Sequence, residues 1–163
     1  MIIKIQEELQ SVFMQQDNIP KNIIYLEEME EVEFNTSPWI SILPDKASIE
    51  EAWHWDNAYN TEDNFVKVKR KYNIHQPIII RMLFEDKIEL DNILNTFLRE
   101  LSKEFIIDNS VVSIIPQDIE YIFSKGELGA NIVIITINTI YPIHDIIVNN
   151  EKIKNINFNM KNK

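Results

Sequence analysis

The sequence contains no cysteine. That removes disulfides, thiolate zinc sites and cysteine nucleophiles together. The absence is neutral on compartment, because a reducing cytoplasm needs no bridges. Glycine is nearly as scarce, with Gly126 and Gly129 the only two in 163 residues. A phosphate-cradling loop of the Walker or dinucleotide type needs several glycines at fixed spacing, so none can be built here. No apolar run approaches the ~20 residues of a bilayer span. The opening MIIKIQEELQ takes on charge at Lys4, Glu7 and Glu8. It lacks the basic start and long apolar stretch of a secretory signal. We therefore expect a protein made and kept in a cytoplasm, with no membrane partner.

Positive charge is scarce in the first part of the chain. Residues 1–64 hold 3 Lys/Arg and 14 Asp/Glu, a balance of −11, whereas residues 65–163 hold 13 and 12, a balance of +1. A field of that sign disfavours nucleic acid as a tight partner, because affinity for phosphate is mostly cationic. DNA passing nearby without sticking is compatible with it. Apolar residues make up 45% of the sequence and charged residues 26%, which is ordinary globular usage. A chain of this length buries a sizeable core without staples. Isoleucine, asparagine and lysine are abundant, and all three are spelled by AT-rich codons.

Hydrophobic spacing divides the chain into elements. Over residues 2–16, Ile5, Leu9, Val12 and Phe13 fall on one helical stripe, ended by Asp17, Asn18 and Pro20. Residues 22–34 start as an apolar strand and run into an acidic patch of Glu27, Glu28, Glu30, Glu31 and Glu33. That patch reads first as a solvated edge and only second as a metal site. PWISIL at 38–43 predicts a short strand. Residues 45–64 read as a long excursion, and a loop of that length in a compact domain is usually functional. Its Trp53, Trp55 and Tyr59 suit a contact surface or a satellite cluster packed on the domain itself.

Residues 65–84 carry the clearest strand pattern, expected to be broken or bulged at Pro77. Residues 86–105 predict an amphipathic helix, with Ile93, Leu94, Phe97, Leu98, Leu101 and Phe105 at three- and four-residue steps. Asp86 followed by Glu89 resembles a capping box. Three strands are expected at 111–115, 118–124 and 130–141, with a turn at Lys125-Gly126-Glu127. Their short connections imply antiparallel neighbours. The predicted fold class is α+β: a mostly antiparallel sheet with an N-terminal helix and one long amphipathic helix packed on it. Residues 1–142 form the domain and 143–163 a C-terminal arm. In that arm Ile153, Ile156 and Phe158 alternate imperfectly with Lys and Asn, as in a strand that completes its pairing on a partner or a frayed terminus.

Catalytic chemistry finds little support. The three histidines, His54, His75 and His144, form no zincin spacing. His54 sits between two tryptophans with Asp56 two residues on, but no nucleophile accompanies it. No serine occupies a G-x-S-x-G elbow. We expect no catalytic, cofactor-binding or metal-binding residues. Lys67, Lys69 and Lys71 lie on one strand face, beside Arg70. Such a stripe contacts phosphate, protects an edge strand, or pairs with an acidic patch on a neighbouring subunit, for which Glu27–Glu33 of the next copy is the candidate.

The element order is similar to that of the tail terminator, or tail completion, proteins of long-tailed bacteriophages and phage-tail-like bacteriocins. The segments that carry the resemblance are IIKIQEELQSVF, PWISILP, QPIIIRMLFEDKIELDNILNTFLRELSKEF, IEYIFS and ANIVIITINTIYPI, which together cover residues 2–142. The resemblance implies a homo-hexameric ring on the last ring of the tail tube. It implies contact with the tube protein, with sheath in a contractile tail, and with a neck or collar. DNA would at most pass through the lumen. The implied location is the head-proximal tail end of a virion or phage-tail-like particle, assembled in the bacterial cytoplasm. The competing readings are a neck or baseplate component, and a small-molecule-binding or enzymatic α+β domain.

Overall fold

The structure is a computed structural model that describes residues 1–17, 19–27, 38–60, 65–123 and 131–149. Among the described residues, two helices and seven strands follow one another as α1 (Ile2–Met14), β1 (Ile24–Tyr25), β2 (Trp39–Pro44), β3 (Ser48–Asn60), β4 (Phe65–Phe84), α2 (Lys87–Glu100), β5 (Glu104–Ile107), β6 (Ser110–Phe123) and β7 (Asn131–Asn149). A single 3-10 turn, Lys21–Ile23, precedes β1. No helix among the described residues is long and apolar enough to cross a membrane.

The strands form one sheet in the order β1-β2-β4-β7-β6-β5, with β3 paired to β4 off that path. The ladders β2–β4, β5–β6 and β6–β7 are antiparallel, whereas β1 runs parallel to β2. A parallel neighbour needs a connection of a dozen residues or more, and residues 26–38 supply that length. The expected α+β class, a mostly antiparallel sheet with one long amphipathic helix, is therefore corrected. The protein is mostly β, with about 60% of its described residues in strands of a mixed sheet and two helices of similar length.

The physical reasons lie in three places. Much of the 45–64 excursion is the strand β3. The helix expected to reach residue 105 stops at Glu100, where Leu101 turns extended (ψ 117°), and Phe105 belongs instead to β5 with its ring buried. Two expected strands, 111–115 and 118–124, are one strand. Pro116 opposes Ile137 and Asp118 opposes Thr136, so Gln117 is an extra residue in a bulge. A bulge is where an interior strand tolerates proline.

Pro77 does not interrupt β4 either. The ladder from β2 ends at Pro44 opposite Ile78, one residue short of Pro77, so no amide is demanded of it there. Its carbonyl still accepts from the Asp45 amide (2.9 Å) and the Gln76 Nε2 (3.0 Å). Between β5 and β6 the chain turns on Asp108 (φ 50°) and Asn109 (φ 62°). Both central residues of such a hairpin need positive φ, and Asp and Asn tolerate it in a chain with almost no glycine. The turn expected at 125–127 lies outside the described residues.

The described chain divides into two compact units. Among the described residues, the first draws on 1–48 and 74–141, and the second on 49–73 and 142–149. In the first, α1 buries Ile5, Leu9, Val12 and Phe13, the stripe read from the sequence. Buried Gln6 sits on the same face and donates to the carbonyls of Leu26 (2.9 Å) and Ile42 (2.6 Å), which satisfies groups that would otherwise be costly to bury. Asp86 caps α2 by accepting the Ile88 amide at 2.7 Å, and Leu90, Ile93, Leu94 and Phe97 face the core. Phe13 and Phe97 stack across the two helices with centroids 4.2 Å apart. Ile40, Ile42, Ile78, Ile80, Met82, Ile135 and Ile137 supply the sheet side of that core.

Candidate functional site

The second unit holds the residues that the sequence marks for interaction. Side chains alternate across a strand, so Trp53 and Trp55 share one face of β3, and Lys67, Lys69 and Lys71 share one face of β4. The pairing of β3 with β4 places these two sets together. Lys69 Nζ sits 4.4 Å from the Trp53 ring centroid and 5.7 Å from that of Trp55. Lys67 Nζ lies 5.3 Å from Trp55 and 5.4 Å from Phe65. Lys71 Nζ stands 5.9 Å from Tyr72, whose ring meets Trp53 edge-on at 6.3 Å. The Trp53 indole N–H donates to Glu51 Oε2 at 2.9 Å.

Each ammonium is thus held over an aromatic face by the ring quadrupole, worth roughly 0.5–1 kcal/mol at an exposed site. The two indoles remain 55% and 54% exposed, so the cluster is a surface and not a core. Phe65 and Val66 are the buried residues that anchor the start of β4. The tryptophans pack against side chains of their own unit and stay exposed.

The opposite parity of the same strands builds a second cluster. Asp56 Oδ2 accepts from Arg70 Nε at 2.9 Å and faces His144 Nε2 at 2.5 Å, while Asp56 Oδ1 faces His54 Nε2 at 3.0 Å. Desolvation pushes the Asp56 carboxyl upward. The hydrogen bonds from Arg70 and His144, with their charges, outweigh it and hold the group below its ordinary value. This clasp links β3, β4 and β7. A carboxylate already shared by a guanidinium and two imidazoles is a tie between strands, with no nucleophile beside it. Among the described residues no group of three His, Asp or Glu is arranged to hold a metal ion.

The sequence places His54 beside Asp56 but does not show that Arg70 and His144 meet the same carboxylate. The one signal available was parity, since His54, Asp56 and Arg70 all fall on the face opposite the tryptophans and lysines. His144 lies in β7. His75 faces the Asn138 amide at 3.4 Å in the first unit.

The remaining candidates are not brought to this cluster. Glu27 is exposed just after β1, and Glu28, Glu30, Glu31 and Glu33 lie outside the described residues. Tyr59 belongs to β3 by its backbone, and its side chain is likewise outside them. Residues 143–149 continue β7, while Ile153, Ile156 and Phe158 lie outside the described residues. In the first unit a shallow groove lined by Lys87, Asp91, Asn95 and Tyr121 runs along α2.

No protein-family model matches the chain, and no curated protein matches it. Among solved structures it is similar to a chain of the structure titled "Virion of native gene transfer agent (GTA) particle". That likeness has a TM-score of 0.45 and 6% sequence identity, and it covers 83% of this chain and 95% of that chain. A likeness this shallow assigns neither fold nor role to the protein.

Proposed function

We propose that this protein is a structural component of a phage or phage-like particle, and that it forms a ring capping the head-proximal end of the tail. In that role it stops polymerisation of the tail tube, and of sheath where a sheath exists, and offers a seat to a neck or collar. Its partners are further copies of itself, the tube protein and the neck. It carries out no catalysis and holds no cofactor, and DNA passes its inner wall without tight binding.

The reading is supported by the order of elements, α1, short strands, the long β4, α2 and the final strands, which resembles the tail terminator pattern. The observation that carries it is the exposed lysine–tryptophan surface of β3 and β4, set against an acidic first part of the chain. Rings are built from heterologous contacts, in which one face of a subunit meets a different face of the next. A cationic aromatic surface and an acidic stretch, both carried by every copy, meet that requirement.

Sedimentation of the purified protein tests the ring. The expected result at low salt is a closed oligomer of about six copies, a number taken from the resemblance. Charge reversal at Lys67, Lys69 and Lys71 is expected to shift it to smaller species, because interface charge pairs are strongest at low ionic strength. A wild-type protein that stays monomeric at every concentration and salt contradicts the ring.

A further inference from the structure

The strand β3 pairs with β4 and with no other described strand, so its second edge has no partner among the described residues. An edge of this kind is a template for a strand from another chain. We infer that this edge of β3 takes up an extended acidic segment of a second copy, residues 27–33, by strand addition. This deepens the ring reading by naming the contact.

Three observations point the same way. The lysine stems start on β4, one strand in from the edge, yet the ammonium groups of Lys67 and Lys69 rest over the Trp55 and Trp53 rings of β3. Positive charge is thereby held on the side chains of β3 itself. An added strand lies about 4.8 Å beyond β3. Its alternate side chains stand roughly 6.8 Å apart, twice the strand rise, which is also the spacing of Lys67 and Lys69 along β4. The sequence at 27–33 reads EEMEEVE, with Glu27, Glu31 and Glu33 in one parity and Glu28 and Glu30 in the other, so either register presents carboxylates to that side. Main-chain pairing would supply affinity and the lysines would select for acid.

The same surface argues against single-stranded nucleic acid. Such ligands stack their bases on free aromatic faces. Here Trp55 carries two ammonium groups over its ring and Trp53 carries one. Cations on the ring faces leave indole edges and charge, which suit carboxylates better than bases. Of the three carboxylates on β3, Glu51 accepts the Trp53 N–H, and Asp56 is paired on the other face with Arg70.

The test titrates the full chain, kept dilute, with a synthetic peptide of residues 26–34, with its all-Gln counterpart, and with oligo-dT. Binding is followed by tryptophan fluorescence and by hydrogen exchange at the amides of Trp53–Asp56. The expected result is that the acidic peptide binds and protects those amides. The Gln peptide, and Lys67→Gln/Lys69→Gln protein confirmed folded by circular dichroism, should bind at least about tenfold more weakly, the loss of one or two charge pairs. Equal binding of the two peptides, binding without amide protection, no binding at all, or oligo-dT bound in preference to the peptide would each overturn the inference. A protein that binds the peptide yet never forms rings keeps this contact and refutes the ring; a ring that the peptide does not touch does the reverse.

Discussion

Phe13 and Phe97 join the two helices through a single stacked pair, with both rings fully buried. Replacing Phe97 by Ala removes the stack and leaves a cavity between α1 and α2. The expected cost is about 3–5 kcal/mol, the usual range for a buried phenylalanine, read from urea unfolding. Asp56 makes a different kind of statement. Its folded carboxyl titrates below its ordinary value, so its contribution to stability is present above the unfolded value of 3.8 and is lost as pH falls through the lower, folded one. Asp56→Asn is therefore expected to lower stability at neutral pH and to flatten the loss below about pH 4. Thermal melts of both proteins across that range provide the check, and parallel curves would show that Asp56 carries no such linkage. Both aromatic positions were legible in the helical stripes. The partners of Asp56 were not, because Arg70 is 14 residues away and His144 is 88, and no local period records a pairing of strands.

At the scale of elements, spacing located α1 and the start of α2 well and their surroundings less well. Asp86 was recognised as a cap from its own chemistry, and it accepts the Ile88 amide as such a residue should. Asp86→Ala is expected to cost about 1 kcal/mol, measured by denaturant titration, and Asp86→Asn to cost much less. The far end of α2 was misjudged because Leu101 and Phe105 continue the four-residue step beyond the last helical residue. A run of apolar residues that enters a buried strand keeps a plausible helical spacing for one more turn. Pro77 misled because it falls just beyond the end of the β2 pairing, and the two strands expected around Pro116 are joined through a bulge at Gln117. Where a pairing ends or bulges is set by the neighbouring strand, and a single strand's sequence does not contain it.

At the scale of the whole molecule, the sequence conveyed charge better than fold class. The acidic first part and the basic stripe of β4 are plain from counting. That the stripe would meet Trp53 and Trp55 was not, since it required the polar, aromatic 45–64 region to be strand and to pair with β4. Alternation was hidden there because both faces of β3 carry large or polar side chains, tryptophans on one and the histidine–aspartate pair on the other. The mixed sheet escaped for a similar reason, as the parallel pair involves two residues of β1. The proposed role depends on this scale, where a cationic aromatic surface and an acidic stretch belong to one repeating copy. The most direct measurement is electron microscopy of particles assembled with and without this protein. The result expected from a capping ring is that its removal gives tails of uncontrolled length or tails without a finished head-proximal end. Tails of normal length with intact ends would contradict the proposed function.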